Sequence, residues 1–262
     1  MDKQAVAKTF SLAAAHYDSV AHLQRTVADR LMAIVVNLPI NDAEKVVDLG
    51  TGTGYLLPTL AQRFKPQQLF GLDLSSEMLE HASDREPSVI KLQADLECPP
   101  FEHNSIELAT TSLAVQWLEQ PTRFLKNLNE QLKPGGYLAI ATLGPHTLNE
   151  LKSAWQQVDH VRHVNEFHSA QEWLGAIEHS ELEATLWREE HIEVLYESPL
   201  KLLNELKLLG ASHVDRQDQP KVSSVRKMLR AYQGFQKPTK QFPATWEVYY
   251  ALLRKPKTKQ FV

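Results

Sequence analysis

The nine residues from Val46 to Gly54 (Val-Val-Asp-Leu-Gly-Thr-Gly-Thr-Gly) limit what this chain can fold into more than any other stretch. A short apolar run ends on an acidic residue and Leu49, three glycines follow at alternate positions, and a helical pattern sets in at Tyr55. That order predicts a buried strand delivering a tight turn into the N-terminus of a helix. It is the corner at which open parallel sheets bind nucleotides. The glycines let backbone N–H groups approach a ligand closely, with φ > 0 available where the turn needs it.

The spacing narrows the ligand. A dinucleotide corner reads Gly-x-Gly-x-x-Gly, and here Tyr55 stands where the last glycine belongs. No Gly-Lys-Ser/Thr follows, which excludes a P-loop. Asp48, two positions before Gly50, suits a ligand carrying an ammonium group, which a pyrophosphate site would not want. The pattern resembles the first motif of the S-adenosylmethionine (AdoMet) methyltransferases. The plain alternative is a strand-turn-helix corner without a ligand.

The flanking sequence continues the same architecture. Residues 3–36 read as one helix, with Phe10, Ala14, Tyr17, Ala21, Gln24, Ala28 and Leu31 along one stripe and no Pro or Gly between them. Tyr17, Gln24 and Arg25 are its unusual members, because polar tips on an apolar stripe need partners; the bland reading is that they are boundary residues. After the corner come a helix over 55–64, a strand from Gln68 to Asp73, a helix over 76–83 capped by Ser75, and a strand over 88–93. Asp73 stands at a strand end 23 residues beyond Gly50, the expected place for a carboxylate that holds ribose hydroxyls. Asp95 follows the third strand in the same register and reads as an adenine contact, with a loop cap as the alternative. A fourth strand (Ile106–Thr111), a helix over 121–132, a stop and turn at Lys133–Gly136, and a fifth strand (Tyr137–Thr142) complete a doubly wound parallel sheet with ligands at its C-terminal strand ends. Beyond it, 146–182 reads as a mostly helical insertion, Ala184–Tyr196 as a strand, 199–209 and 221–235 as helices, and Phe242–Arg254 as a final alternating strand. The basic tail over 255–262 is expected to be flexible.

Composition closes off several other classes. With 262 residues, 43% hydrophobic and 23% charged, one α/β domain with an elaboration accommodates the whole chain. No apolar run approaches 18 residues and no basic-then-apolar leader opens the chain, so a membrane partner is not expected and the cytoplasm is. A single cysteine, Cys98, fits a reducing compartment. There is no Gly-x-Ser-x-Gly elbow for a hydrolase. Asp159, His160, His163 and His168 match no metal-ligand spacing, and no metal is expected. The net charge of −4 conceals an asymmetry: residues 200–262 hold 13 Lys and Arg against 4 Asp and Glu, the rest 15 against 28. Such a basic third suits an acidic partner; aromatic residues do not interleave with it as in RNA-binding modules, so nucleic acid is not expected.

Four stretches make the resemblance specific. They are Phe10-x-x-Ala13-Ala14-Ala15-His16-Tyr17-Asp18 continuing to Leu23-Gln24-Arg25, then Leu113-Ala114-Val115-Gln116-Trp117, then Leu148-x-Glu150-Leu151-x-x-Ala154-Trp155-x-x-Val158-Asp159 with Asn165-x-Phe167 beyond it, and Leu206-Lys207-x-x-Gly210-Ala211-x-His213. With them the chain resembles the malonyl-acyl-carrier-protein O-methyltransferases of the biotin pathway. Thr51 departs from the Cys or Ser of many relatives but is likewise small and polar.

The resemblance implies a seven-stranded Rossmann-like methyltransferase sheet with an N-terminal helical cover over 1–37. It implies that Gly50, Thr51 and Gly52 line the methionine part of AdoMet near Asp48. Asp73 would hold the ribose, Leu74 and Met78 would flank the adenine, Asp95 and Leu96 would meet its edge, and Ser112 would lie beside the amino-acid end. Tyr17 and Gln24 would close the pocket. The implied acceptor is the free carboxylate of a malonyl thioester on acyl carrier protein, whose esterification admits it to fatty-acid-type elongation. A carboxylate with a pKa of about 4 needs no general base at pH 7, which accounts for the lack of a catalytic triad. Arg25 is the expected carboxylate clamp, Tyr17 its partner in positioning, and Arg226, Lys227 and Arg230 the expected carrier-docking residues. The rival readings are a methyltransferase for another small carboxylic acid and a non-catalytic docking module of the same fold.

Overall fold

The strand predicted before the glycine corner is β1 (Lys45–Leu49), and every residue after Lys45 in it is buried. In the computed structural model, which describes residues 3–210 and 222–257, β1 sits inside a seven-stranded sheet. Parallel to it run β2 (Gln68–Asp73), β3 (Ile90–Gln93), β4 (Ile106–Ser112) and β5 (Leu132–Leu143). β7 (Phe242–Arg254) returns antiparallel between β5 and β6 (Glu183–Tyr196), giving the order β3-β2-β1-β4-β5-β7-β6.

Successive side chains of a strand face opposite sides, so both faces of this sheet need cover. On one face Val46, Leu108 and Tyr250 join Leu31 of α2 (His22–Val35) and Leu60 and Phe64 of α3 (Leu57–Phe64). On the other Val47, Ala109 and Leu138 meet Phe124 of α5 (Pro121–Gln131) and Trp173 of α7 (Ala170–Glu178). The direction of strand order reverses between β1 and β4. Their connections leave on opposite sides there, and a crevice opens at their C-terminal ends.

Three elements differ from the sequence reading. The single N-terminal helix is two, α1 (Lys3–Val20) and α2, broken at Ala21 with φ −78° and ψ 42°. No breaker residue marks the spot. The break is held by a tertiary bond, in which Arg25 donates to the Asp18 carbonyl, 2.6 Å away, that α1 leaves open at its end. The stop at Lys133–Gly136 is drawn into β5, whose register to β4 shifts there, and Gly135 at φ +86° donates to the Lys255 carbonyl. The stretch over 146–182 is less helical than expected. It holds α6 (Asn149–Gln156), an irregular run over 157–169, and α7, which packs on α5 and β6 as an ordinary layer helix. Glu150 of α6 accepts both the N–H and the hydroxyl of Thr245, which seats α6 at the start of β7.

The remaining boundaries agree closely. Ser75 caps α4 (Ser76–Arg85) by accepting the Met78 N–H at 3.1 Å. α8 (Pro199–Leu208) and α9 (Val222–Tyr232) follow β6. Lys255, at the head of the basic tail, is tied to Asn104 and to the Asn129 carbonyl. Residues 258–262, and Ala211 and His213 of the fourth matched stretch, lie outside the described residues. No helix among the described residues is long and apolar enough to cross a membrane.

Gly54 closes the corner at φ +77°, where an added Cβ would lie 2.8 Å from the Ala82 backbone and 2.9 Å from Leu57. Gly54→Ala is therefore expected to cost more than about 2 kcal/mol in urea unfolding, from backbone strain and overpacking together. Gly52, also at positive φ, has open space around it, so Gly52→Ala should cost only about 1 kcal/mol.

Candidate active site

Two carboxylates dominate the crevice. Asp48 is 2% exposed, with its oxygens accepting the Thr110 and Thr51 hydroxyls at 2.7 Å each. Burial pushes its pKa up to about 6 against the pull of those two hydroxyls, and the Asp73 charge adds to the rise. Asp73, at the end of β2, accepts the Gly52 and Ser75 N–H groups at 2.9 Å each. Burial raises its pKa as well, opposed by those backbone donors and that of Leu74. Gly50 donates to the Leu72 carbonyl at 2.7 Å, and a Cβ there would stand 2.3 Å from the Ala114 Cβ, so only glycine permits this approach of the two loops.

These groups face one cavity. Thr51 and Gly52 line it from the corner, Leu74 and Met78 from the start of α4, and Leu96 and Ser112 from the loops after β3 and β4. Asp95 is the exception. Its neighbours Ala94 and Leu96 form the wall, while its own carboxylate accepts the Glu97 N–H at 2.9 Å, the loop-cap geometry that was the alternative. A mostly apolar wall around one buried and one half-buried carboxylate suits a ligand with an apolar body and positive charge.

The two N-terminal helices roof the cavity. Tyr17, Gln24 and Arg25 all line it, and Arg25 is the only cationic side chain in its wall among the described residues. Burial, then the Asp73 and Asp18 charges, raise the Tyr17 phenol, which therefore stays protonated and able to donate. The Arg25 guanidinium also lies 3.1 Å from His22 Nδ1.

Residues beyond the sequence candidates hold the roof down. Asp18 takes Arg85 of α4 at 2.5 Å and the Thr53 hydroxyl at 2.8 Å. Ser11 donates to Glu77 at 2.7 Å and lies 2.9 Å from the Ser75 hydroxyl. Phe10 sets its ring edge-on to Trp117 with centroids 6.0 Å apart, and both line the cavity. Phe10, Asp18 and Trp117 stand within the matched stretches, so a signal existed. Nothing local marks Arg85, whose partner is 67 residues away.

The histidine candidates do not converge. His163 stacks on Trp155 at 3.5 Å and pairs with Asp159 at 2.8 Å, whereas His168 turns to the Leu118 carbonyl and Glu172. Among the described residues, His146, His191 and Glu247 form the one group whose ligand atoms lie within 4.8 Å of one another. None of the three lines the cavity.

Comparison with known proteins agrees with this geometry. The profile of a family described as "Methyltransferase domain" matches residues 47–140. The geranyl diphosphate C-methyltransferase of Streptomyces coelicolor, solved with S-adenosyl-L-homocysteine, superposes with a TM-score of 0.56 at 14% identity, over 92% of this chain and 85% of that one. The fold and the matched family profile, with the relatives that follow, define a methyltransferase built on the seven-stranded, doubly wound sheet. The malonyl-acyl-carrier-protein O-methyltransferase of Marinomonas sp. is 34% identical over 97% of this chain and 94% of its own length. The biotin biosynthesis bifunctional protein of Teredinibacter turnerae is also 34% identical over 97% of this chain, which spans 47% of that longer protein. The chain belongs to the malonyl-acyl-carrier-protein O-methyltransferase family.

The folded pKa of Asp48 lies above its ordinary 3.8, so ionising it costs stability, increasingly from about pH 4 to about pH 6 and fully above. Asp48→Asn should therefore stabilise the ligand-free protein by about 1–3 kcal/mol at pH 8 and by little at pH 4. Denaturant melts at the two pH values check this.

Proposed function

We propose that the chain transfers a methyl group from AdoMet to the free carboxylate of a malonyl thioester on acyl carrier protein. The product is the malonyl methyl ester that enters fatty-acid-type elongation towards pimeloyl and biotin, in the cytoplasm. The observation that carries the reading is the cavity itself: the buried Asp48 and half-buried Asp73 on its floor, one guanidinium in its wall, and no histidine among its described lining residues.

The residues present fit AdoMet. Asp48 and Asp73 supply the negative charge that a sulfonium and an ammonium need, and the missing side chain of Gly50 leaves backbone against the ligand. Asp73 is suited to ribose hydroxyls, Leu74, Met78 and Leu96 to the adenine, and Thr51, Gly52 and Ser112 to the methionine end. In this reading Asp95 serves by shaping the loop that presents Leu96. AdoMet, when bound, offers a methyl carbon on a positively charged sulfur, which a carboxylate oxygen takes while the sulfur leaves as a neutral thioether.

What the chain contributes is placement. Both reacting charges vanish towards the transition state, so the rate comes from holding the groups in line where water is scarce. Tyr17 and Gln24 roof the pocket, and Arg25 grips the acceptor carboxylate through the N–H groups that Asp18 and His22 leave available. The exposed Arg226, Lys227 and Arg230 on α9 offer a cationic face to an acidic carrier.

Mass spectrometry of malonyl carrier protein incubated with AdoMet should show one added methyl; a rival acid such as aconitate methylated in its place would reverse the substrate assignment. Arg25→Ala is expected to raise KM for the malonyl substrate roughly 10- to 100-fold, the loss of one charge-assisted pair, with AdoMet affinity intact by calorimetry. Turnover on carrier-bound substrate should fall steeply with added salt, and turnover on malonyl-CoA much less. AdoMet affinity should weaken about tenfold per pH unit below about 6 as Asp48 protonates, and Asp48→Asn should flatten that dependence.

A further inference from the structure

Away from the methyl-donor cavity, one buried carboxylate has no part in the proposed reaction. Glu247 is 3% exposed within β7, a strand whose only other charged residue is Arg254. A carboxylate so placed persists only where donors or a cation hold it. Two donors are at hand: the His146 N–H reaches Oε2 at 2.7 Å, and the Tyr249 hydroxyl donates to the same carboxylate. Gly144 makes room for this arrangement. A Cβ there would stand 2.4 Å from Glu247 Oε2 and 2.5 Å from the Tyr249 hydroxyl.

Two imidazoles complete the group, each from a different element. His191 is the cross-strand partner of Glu247 in the β6–β7 register, and its Nε2 lies 4.0 Å from Oε1. His146 stands on the loop after β5, with Nδ1 3.0 Å from both carboxylate oxygens. These two are the ion-pair partners of Glu247 among the described residues, and both are more than half exposed. One carboxylate cannot neutralise two imidazolium ions, and with ring centroids 6.5 Å apart they would repel each other. Lys152 is spent on the Pro145 carbonyl, 2.6 Å away. A single divalent cation satisfies one carboxylate and two neutral imidazoles together.

The spacing admits such an ion. Bonds of about 2.0–2.2 Å place ligand atoms about 3–4 Å from one another. The carboxylate pairs already stand at 3.0 and 4.0 Å, and all three ligand atoms lie within 4.8 Å of one another. Exposed rings turn readily enough to close the rest. The donor types select the ion, since imidazole suits zinc and its transition-metal neighbours while magnesium and calcium take oxygen ligands. The Tyr249 hydroxyl and the His146 N–H then orient the carboxylate from behind, as outer partners of metal ligands do.

We propose that His146, His191 and Glu247 form a binding site for one divalent transition ion of the zinc class, with water at the remaining position. Its work is structural. The loop after β5 already docks on β7, where Gly144 donates to the Glu247 carbonyl at 2.9 Å and Leu148 to the Thr245 carbonyl at 2.6 Å. The ion joins that loop to β6 as well, just ahead of α6. None of its three ligands lines the methyl-donor cavity, so the site stands apart from methyl transfer.

Calorimetric titration of tag-free, chelator-stripped protein with zinc tests this. One zinc ion per chain is expected to bind saturably, with magnesium and calcium giving no comparable heat. Zinc at about a hundred times its Kd should raise the thermal midpoint by about 5 °C. His191→Ala, on the exposed edge strand, should weaken zinc binding about tenfold or more, at least what the loss of an outer partner costs, and remove the thermal shift. Glu247→Gln should do the same where it folds. His160→Ala, an exposed histidine outside the group, should change neither readout. Protein that takes up no zinc saturably overturns the proposal, as does binding that His191→Ala leaves intact. Zinc binding lost in Asp48→Asn and kept in His191→Ala would move the ion to the methyl-donor cavity and overturn it equally.

Discussion

Ionised carboxylates are seldom buried without partners, and the placing of the buried Asp48 beside the half-buried Asp73, at the point where the sheet changes direction, is the constraint to which the rest of this structure answers. Apolar strands lie on one side of them and the helical roof on the other. What remains to stabilise their charge is a pair of threonine hydroxyls and a few backbone N–H groups. Those donors do not suffice, since both groups stay harder to ionise than in water. A cationic ligand, as in the proposed function, would supply the countercharge that these donors do not.

The roof matters to the proposed reaction as much as the floor does. In water, a carboxylate and a sulfonium are each well solvated, and collapsing their charges gains little. In the proposed reaction they would meet beneath α1 and α2, where water is scarcer, beside neutral donors such as the Tyr17 phenol.

Much of this was legible in the amino-acid order, and the exceptions share a cause. β2 and β7 begin and end where alternation and turn residues put them, because a buried strand writes its limits locally. The glycine corner was legible too, since Gly50 and Gly54 both take positive φ in the turn. The break at Ala21 was not, because a contact between Arg25 and the Asp18 carbonyl decides it and not a breaker residue. Asp95 follows β3 in the register read from Asp48 and Asp73, and its carboxylate accepts the N–H of Glu97 two residues on, a local bond that a short acidic side chain in a loop makes readily. The Arg85–Asp18 pair joins segments that only the folded sheet brings together. The third matched stretch carries structure, with Glu150 seating α6 and Trp155 stacking on His163.

Asp18 binds α4 through Arg85 and the glycine corner through Thr53, while its carbonyl holds the elbow between α1 and α2 through Arg25. One residue thus bolts three parts of the chamber at a single point. The elbow, α4 and the glycine corner therefore share one anchor, and the height of the roof above the corner is set by where a single short side chain and its carbonyl stand.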